Sequence, residues 1–264
     1  MTMVEVEISK IDVLTGKTSR IVDFVAEEKP LRIFLGKTYY ASIYCSPTNL
    51  KELAIGHLLS EGVVKSVAEI EEVSLKEEES YCKVRLKRDI DVEKRLKLLK
   101  SYSRVIYSTC GGRSPYPFVG KLPRVKSSLT VKTAVVLRCV NRLNADAKIF
   151  RKTGGVHAAA IFKSDEHLVA LAEDVGRHNA VDKVIGMGAV GKIDFTECFL
   201  ALSGRLTGDI ALKAARVGLP IVASLAAAID SGIVVARDTG LTLVGFVRGN
   251  RMNIYTFPER ILLN

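Results

Sequence analysis

Two kinds of apolar spacing organise the chain. Over residues 1–45 apolar and polar positions alternate in short runs such as "VEVEIS" and "YYASIYC", a period of two that predicts strands of a half-exposed sheet. In "SPTNLKELAIGHLLSEGVV" the spacing becomes helical: Leu50, Leu53, Ala54 and Leu58 share one face, Thr48 or Asn49 can cap, and Gly62 can stop the helix. His57 lies on the same stripe and reads as a core or boundary histidine. Residues 65–100 carry mixed charge, which reads as a solvated face around the alternating "YCKVRLKR", so Cys82 is expected in a strand.

The three prolines of "RSPYPFVGKLPRVKSS" mark a connection. The chain is therefore expected to divide into a smaller β-rich α+β domain, 1–113, a connection, 114–128, and an α/β domain with a mixed sheet, 129–264. In the last of these, "VKTAVVLRCVNRLNA" has helical spacing through Val136, Val140 and Leu143, and "GVHAAAIFK" and "HLVALAEDV" read as strands. A helix is expected from about His178 to Val190. Beyond it the order is strand, glycine turn, helix, strand, helix, strand. Thr207 caps a helix that ends at Gly218, "PIVAS" is a buried strand, Ser224 opens the next helix and Gly240 closes it, and "LTLVGFV" is the last strand. Such βαβαβ order predicts parallel strands with right-handed crossovers, and ligands of open α/β sheets sit beyond the strands' carboxyl ends.

Composition narrows the class. A chain of 264 residues with 48% hydrophobic content can bury a sizeable core without staples. The five cysteines are scattered and never spaced C-x-x-C, which argues against a disulfide framework and a zinc knuckle. The start, "MTMVEVEISK", is charged within five residues and carries no signal-peptide pattern, and no apolar run is long enough to span a bilayer. A cytoplasmic protein with no membrane partner is the expectation. The net charge of +10 favours an anionic partner. Nucleic acid is not expected, because there is no Trp, aromatic content is 6% and the basic residues do not gather in one helix or tail. Arginines beside glycines, at Arg113, Arg177, Arg205 and Arg248, suit a compact phosphate-bearing ligand better.

Four glycine-bearing turns converge on the predicted ligand edge: Thr153-Gly154-Gly155, Gly176-Arg177-His178-Asn179, Ser203-Gly204-Arg205 and Arg248-Gly249-Asn250-Arg251. Glycine lets backbone N–H groups approach an anion and arginine adds a bidentate cation. No Walker A loop and no G-x-G-x-x-G fingerprint occurs. In "EDVGRHNAVDKV", Asn179 and Asp182 are candidates for hydrogen bonds to a base or pterin edge and Arg177 for phosphate. The plainer reading makes Asp174 and Asn179 capping residues and leaves Asp182 and Lys183 solvated. His157 stands where a zinc deaminase reads H-x-E, but Ala159 replaces the glutamate and no P-C-x-x-C follows, so no metal site is expected. In "YSTCGGRSPYPF", Cys110 sits beside two glycines and near Arg113, surroundings that favour a nucleophilic thiolate; the plainer reading is a small buried residue in a turn.

The blocks "TGGVHAAAIF", "EDVGRHNAVDKVIG", "GLPIVAS" and "GLTLVGFVRGNRMNIYTFPERI" resemble the signature blocks of the formate dehydrogenase accessory sulfurtransferase family, FdhD, and "ELAIGHLLSEGVV" resembles its first helix. The likeness runs from about Leu31 to Ile261. It implies an α/β fold related to cytidine deaminases and a homodimer. It also implies that the chain takes a persulfide from a cysteine desulfurase and delivers its sulfur to the molybdenum bis(molybdopterin guanine dinucleotide) cofactor before that cofactor enters formate dehydrogenase. Cys110 matches the persulfide cysteine, and Phe246, Val247, Arg248, Gly249, Asn250 and Arg251 match the cofactor-binding segment, so a GDP-like fragment is expected to bind. Gly154, Gly155, His157, Arg177, His178, Asn179, Asp182, Ser203, Gly204 and Arg205 complete the expected cofactor site. Many members carry C-x-x-C where this chain has Cys110-Gly111-Gly112-Arg113, which argues against a two-cysteine relay. A cofactor-binding chaperone that moves no sulfur, and a deaminase-type nucleotide enzyme, are the other classes that the sequence leaves open.

Overall fold

The computed structural model describes residues 2–88, 90–91 and 122–263. Cys110 and most of the expected connection lie outside the described residues.

The chain opens with β1 (Met3–Ile11) and β2 (Thr18–Ala26), which pair antiparallel as a ribbon of their own. Next come β3 (Lys29–Leu35), β4 (Thr38–Cys45), α1 (Leu50–Ser60), β5 (Ile70–Lys76) and β6 (Tyr81–Leu86). These strands form a sheet in the order β4-β3-β6-β5. From residue 131 follow β7 (Val131–Lys132), α2 (Thr133–Asp146), α3 (Lys148–Thr153), β8 (His157–Lys163), β9 (Leu168–Asp174) and α4 (Arg177–Val190). The remainder is β10 (Cys198–Leu202), α5 (Gly208–Val217), β11 (Ile221–Ser224), α6 (Asp230–Thr239), β12 (Thr242–Arg248), β13 (Arg251–Thr256) and β14 (Ile261–Leu262). Six strands make one mixed sheet, ordered β13-β12-β11-β10-β8-β9. Its β10, β11 and β12 run parallel, as the βαβαβ order predicts, while β8, β9 and β13 run against their neighbours. Among the described residues no helix is long and apolar enough to cross a membrane.

Side chains of the six-stranded sheet alternate between two cores, as a period of two requires. Ala159, Ile161, Cys198, Leu200 and Leu202 face α1, α4 and α5, in a core that also takes in Leu31, Ile33 and Val84 of the four-stranded sheet. Ala158, Ala160, Phe162, Phe199 and Ala201 face the other way, onto the Val136, Val140 and Leu143 stripe of α2. Both faces of the sheet are covered, which is why its strands are near-continuous apolar runs.

One expected element begins elsewhere. The helix assigned to open at Ser224 starts only at Asp230, with Ile229 as its N-cap. The Ser224 hydroxyl instead donates to the Gly204 carbonyl at 2.6 Å and accepts from the Ala226 N–H at 3.0 Å. The following residues pair with the β10–α5 turn: Leu206 N donates to Ala227 O and Ile229 N to Leu206 O. Backbone groups satisfied across the loop are not available for a helical turn.

The two sheets are joined through α1 and α4, which cross in near backbone contact. A Cβ built on Gly56 would lie 1.7 Å from the Asp182 carbonyl oxygen, and one on Gly186 would lie 1.9 Å from that of Glu52. Only hydrogen fits at either position, so the glycines set the distance between the helices. Gly186→Ala is expected to destabilise the chain by about 3 kcal/mol, the upper part of the range for overpacking, measured by urea denaturation. A loss within experimental error would show that the crossing can open without consequence.

Candidate functional site

The carboxyl ends of β10 and β11 lie side by side, since Leu202 pairs with Ser224, and β8 begins beside them. This edge gathers the Ser203-Gly204-Arg205 turn, His157 and Arg177. The Ser203 hydroxyl accepts from the Ala158 N–H at 3.0 Å and lies 3.4 Å from His157 Nδ1. A Cβ on Gly204 would lie 3.0 Å from Arg177 Cβ and 3.5 Å from His157 Nδ1. The missing side chain is what lets the arginine stem and the imidazole pack over this turn.

The electrostatics of the edge are one-sided. Burial pushes the Arg177 pKa down and the Arg205 charge pushes it further, with Asp209 a weaker opposing influence. Burial, Arg177 and Arg205 likewise lower the pKa of His157. Arg177 Nε is buried with no hydrogen-bond partner among the described residues, and so is the Thr207 hydroxyl oxygen at the N-cap of α5. Helices α4 and α5 both begin here, at Arg177 and Gly208, adding the partial positive charge of their N-termini. Cations crowded together and donors lacking acceptors are what an anion would satisfy.

The other expected residues are placed differently. Gly154, in the left-handed region at φ 65°, ends α3, and a Cβ on Gly155 would lie 3.2 Å from Ala26 Cβ, so this pair faces the base of the ribbon. Asn179 donates to the Tyr44 carbonyl at 2.8 Å and to Asp174 Oδ1 at 2.9 Å, which ties it to the chain on either side. Arg248, Gly249, Asn250 and Arg251 are exposed at the β12–β13 turn, with Gly249 at φ 58° and the Arg248 guanidinium 5.2 Å from the Phe246 ring. Phe246, at φ 53°, has its N–H on the Ala226 carbonyl, so the start of this segment borders the β11–α6 loop. Val247 does not belong with a ligand: its side chain is fully buried in the core shared with α2.

Asp182 also departs from its expected role, because its carboxylate is 1% exposed. It accepts from Lys213 Nζ at 2.9 Å, from the Ser60 hydroxyl at 2.6 Å and lies 3.0 Å from His57 Nδ1. Burial opposes its ionisation, but Lys213 and the His57 and Ser60 hydrogen bonds outweigh burial and hold its pKa below the ordinary carboxylate value. Lys213 in turn is held above its ordinary value by Asp182 and Glu61 against the effect of burial. Nor is Lys183 solvated. It pairs with Asp174 at 2.7 Å, both side chains fully buried, and donates to the Ser46 and Glu173 carbonyls. Sequence reading missed Lys213, Ser60 and Ser46 altogether; the available signal was Lys213 on the same helical stripe as Ile210, Ala214 and Val217. His57 was rightly placed at the core boundary, but its Asp182 partner is 125 residues away.

The remaining cysteines are unreactive by environment. Burial pushes the thiols of Cys45 and Cys139 up to about 12 and those of Cys82 and Cys198 up to about 11.

Fold and edge together define a mixed α/β protein whose cations meet beyond the carboxyl ends of parallel strands. Residues 26–262 match the model of the FdhD/NarQ family. The sulfur carrier protein FdhD of Sulfolobus acidocaldarius is 39% identical over 264 residues, 99% of each chain, and that of Methanothermobacter thermautotrophicus is 38% identical over 98% of each. A solved structure from Desulfotalea psychrophila, assigned as a formate dehydrogenase accessory protein, superposes with a TM-score of 0.82 at 26% identity, covering 99% of this chain and all of that one. The chain belongs to the FdhD/NarQ family.

His178 gives the site a pH signature. Its Nε2 is buried with no partner among the described residues, and burial, Arg177 and Lys213 push its pKa down to about 4, with Asp182 and Glu61 opposing. A folded pKa below the unfolded value means the unfolded chain binds the proton first, so stability is lost as pH falls from about 6.5 towards 4. His178→Gln is expected to lessen the stability lost between about pH 7 and 4.5 by about 2 kcal/mol. Denaturant titrations of both proteins at the two pH values check it; parallel losses would mean that the imidazole is solvated.

Proposed function

We propose that this chain is a sulfur carrier in the maturation of formate dehydrogenase. Its near-full-length similarity to proteins named sulfur carriers supports the role, and the cationic edge formed by Arg177, Arg205 and the N-termini of α4 and α5 supports the cargo. In this reading Cys110 is the carrying thiol. Its thiolate attacks the sulfane sulfur of a cysteine desulfurase's persulfide; the new S–S bond forms at Cys110 and the desulfurase cysteine leaves as a thiolate, so no external oxidant or reductant is required. Arg113, beside it in sequence, favours the anionic thiolate and persulfide.

The recipient is the molybdenum bis(molybdopterin guanine dinucleotide) cofactor, handled as cargo on its way to formate dehydrogenase. Its guanine dinucleotide halves carry diphosphates, which suit paired guanidiniums and exposed N–H donors. Arg177 and Arg205 hold a diphosphate, His157 and Ser203 border it, and the Arg248–Arg251 turn closes over the nucleotide. The sheet's kinship with cytidine deaminases is part of the same reading, as are a cytoplasmic setting and a homodimer. The alternative, a chaperone that binds cofactor without moving sulfur, shares the cationic edge and differs only at Cys110.

Two measurements test this. After incubation with a cysteine desulfurase and cysteine, the intact mass should rise by about 32 Da, one sulfur atom. Cys110→Ser should abolish the gain, while serine at Cys45, Cys82, Cys139 or Cys198 should not. A gain that survives Cys110→Ser would remove sulfur carriage from that residue, and no gain in the parent protein would leave the chaperone. Titration calorimetry with GDP tests the edge: Arg205→Ala and Arg251→Ala should each weaken binding by about 1.5 to 3 kcal/mol, tenfold or more, and Cys110→Ser should leave it unchanged. Parent-like affinity in Arg205→Ala would take the diphosphate away from this turn.

A further inference from the structure

The four-stranded sheet packs only one of its faces against a core. Leu31, Ile33, Leu35, Cys82 and Val84 point inwards and are buried, so the alternate positions of the same strands point away from the core. Pairing across the strands puts Tyr44 beside Pro30, Tyr39 beside Phe34, Arg32 between Ser42 and Tyr81, and Lys83 beside Phe34. Four aromatic rings therefore share the outer face. Tyr39 and Tyr44 are 55% and 64% exposed, while Phe34 and Tyr81 are half-buried.

The rings brace one another. The Phe34 centroid lies 5.5 Å from that of Tyr39 at an interplanar angle of 73°, and 4.8 Å from that of Tyr81 at 37°. The Tyr39 hydroxyl donates to Ser42 Oγ at 3.0 Å. Side chains held in this way lose little freedom when a flat ligand settles on them.

What borders the rings is polar. Arg32, Ser42, Ser74 and Lys83 occupy outer positions of the strands, and among the described residues Pro30 is the one aliphatic there. A protein-binding patch has an apolar centre depleted of charge. Rings flanked by cations and hydroxyls suit bases and phosphates instead. The acids keep to one side. Glu71 and Glu72 of β5 pair with Arg85 at 3.1 and 2.7 Å, Glu79 of the β5–β6 turn pairs with Lys76 at 3.0 Å, and Glu78 belongs to the same turn. Beside the rings stand Arg32 and Lys83, with Lys37 at the β3–β4 turn, and donation to the Glu79 carbonyl at 2.7 Å fixes the Arg32 guanidinium.

The sequence argues against nucleic acid, because its basic residues gather in no helix or tail and its aromatics are few. Folding answers that argument by drawing rings and cations from three strands onto one face. A duplex hides its bases, so such a face takes an unpaired strand. The Ser42 and Ser74 hydroxyls lie on it as partners for the ribose 2′-OH, which DNA lacks.

We propose that the outer face of the four-stranded sheet binds single-stranded RNA, with bases stacked on Tyr39, Tyr44 and the Phe34–Tyr81 pair and phosphates on Arg32, Lys37 and Lys83. This face shares no residue with the Arg177–Arg205 edge, so the binding is independent of sulfur carriage and of the cofactor.

Fluorescence anisotropy of the full chain with a labelled oligouridylate about twelve nucleotides long tests it. The parent is expected to bind. Tyr39→Ala with Tyr44→Ala should weaken binding at least about tenfold, whereas Tyr39→Phe with Tyr44→Phe keeps the rings and the affinity. The melting temperature should move little, because both rings are more than half exposed. Lys83→Gln should lower the slope of log affinity against log salt by about 0.7, one phosphate contact. The deoxy strand should bind about fivefold more weakly, for want of the 2′-OH hydrogen bonds, and excess GDP should not displace the RNA. No binding by the parent, parent-like binding with both rings removed, equal affinity for the deoxy strand, or displacement by GDP would each overturn the proposal. So would a protein captured from a ribonuclease-treated lysate and lost with both rings, which would give the face to a protein partner.

Discussion

The backbone contact between α1 and α4 is the constraint on which the rest of the structure depends. Gly56 and Gly186 let the helices approach until carbonyl oxygens take the space of side chains. At that separation His57 and Ser60 of α1 reach Asp182 of α4, and Lys213 of α5 closes the group from the third side. A residue larger than glycine would part the helices and leave charges buried without their partners, which is far more destabilising than never having buried them. Close packing and charge pairing are therefore one arrangement, and neither survives without the other. Its position matters because α4 begins with Arg177, so the helix that anchors the four-stranded sheet also fixes a cation at the edge beyond β10 and β11.

That edge shows the opposite use of charge. Inside the fold Lys213 and Lys183 each have a carboxylate in contact, whereas Arg177 and His157 each feel neighbouring positive charge. Folding holds them together against that repulsion. A bound anion relieves the repulsion and stabilises only the folded chain, so occupancy and stability are linked by mass action. Ser224 takes part without facing a ligand: its hydroxyl on the Gly204 carbonyl braces the turn that brings Arg205 forward.

How much of this was legible in the sequence follows from range. Period-two runs marked β1, β4 and β6, apolar runs marked β8 to β12 but not β13, and Thr207 with Gly218 bounded α5, because strand and helix-end signals are local. The glycine turns at Ser203-Gly204-Arg205 and Gly176-Arg177 were legible for the same reason. The fate of Asp182, Lys183 and Lys213 was not, because a charged side chain reads as solvated until its partner is known, and Ser60 meets Lys213 across 153 residues of chain. Val247 misled in the other direction: it belongs to a strand, and alternate residues of a strand point into the core whatever motif contains them. Ser224 misled because a serine before a helix caps it in one context and braces a neighbouring loop in another.

The charged junction between α1, α4 and α5 responds to heat unlike the apolar cores around it. The hydration of ions becomes less favourable as temperature rises, so keeping Asp182 and Lys213 out of water grows less costly while the gain from burying apolar area levels off. On warming, these helices hold together relatively better than the apolar packing of Val136, Val140 and Leu143 of α2 on the far face of the sheet, where the Arg138–Glu166 pair lies out in solvent. Warming thus shifts the relative cohesion of the chain towards the helix junction and the edge it supports.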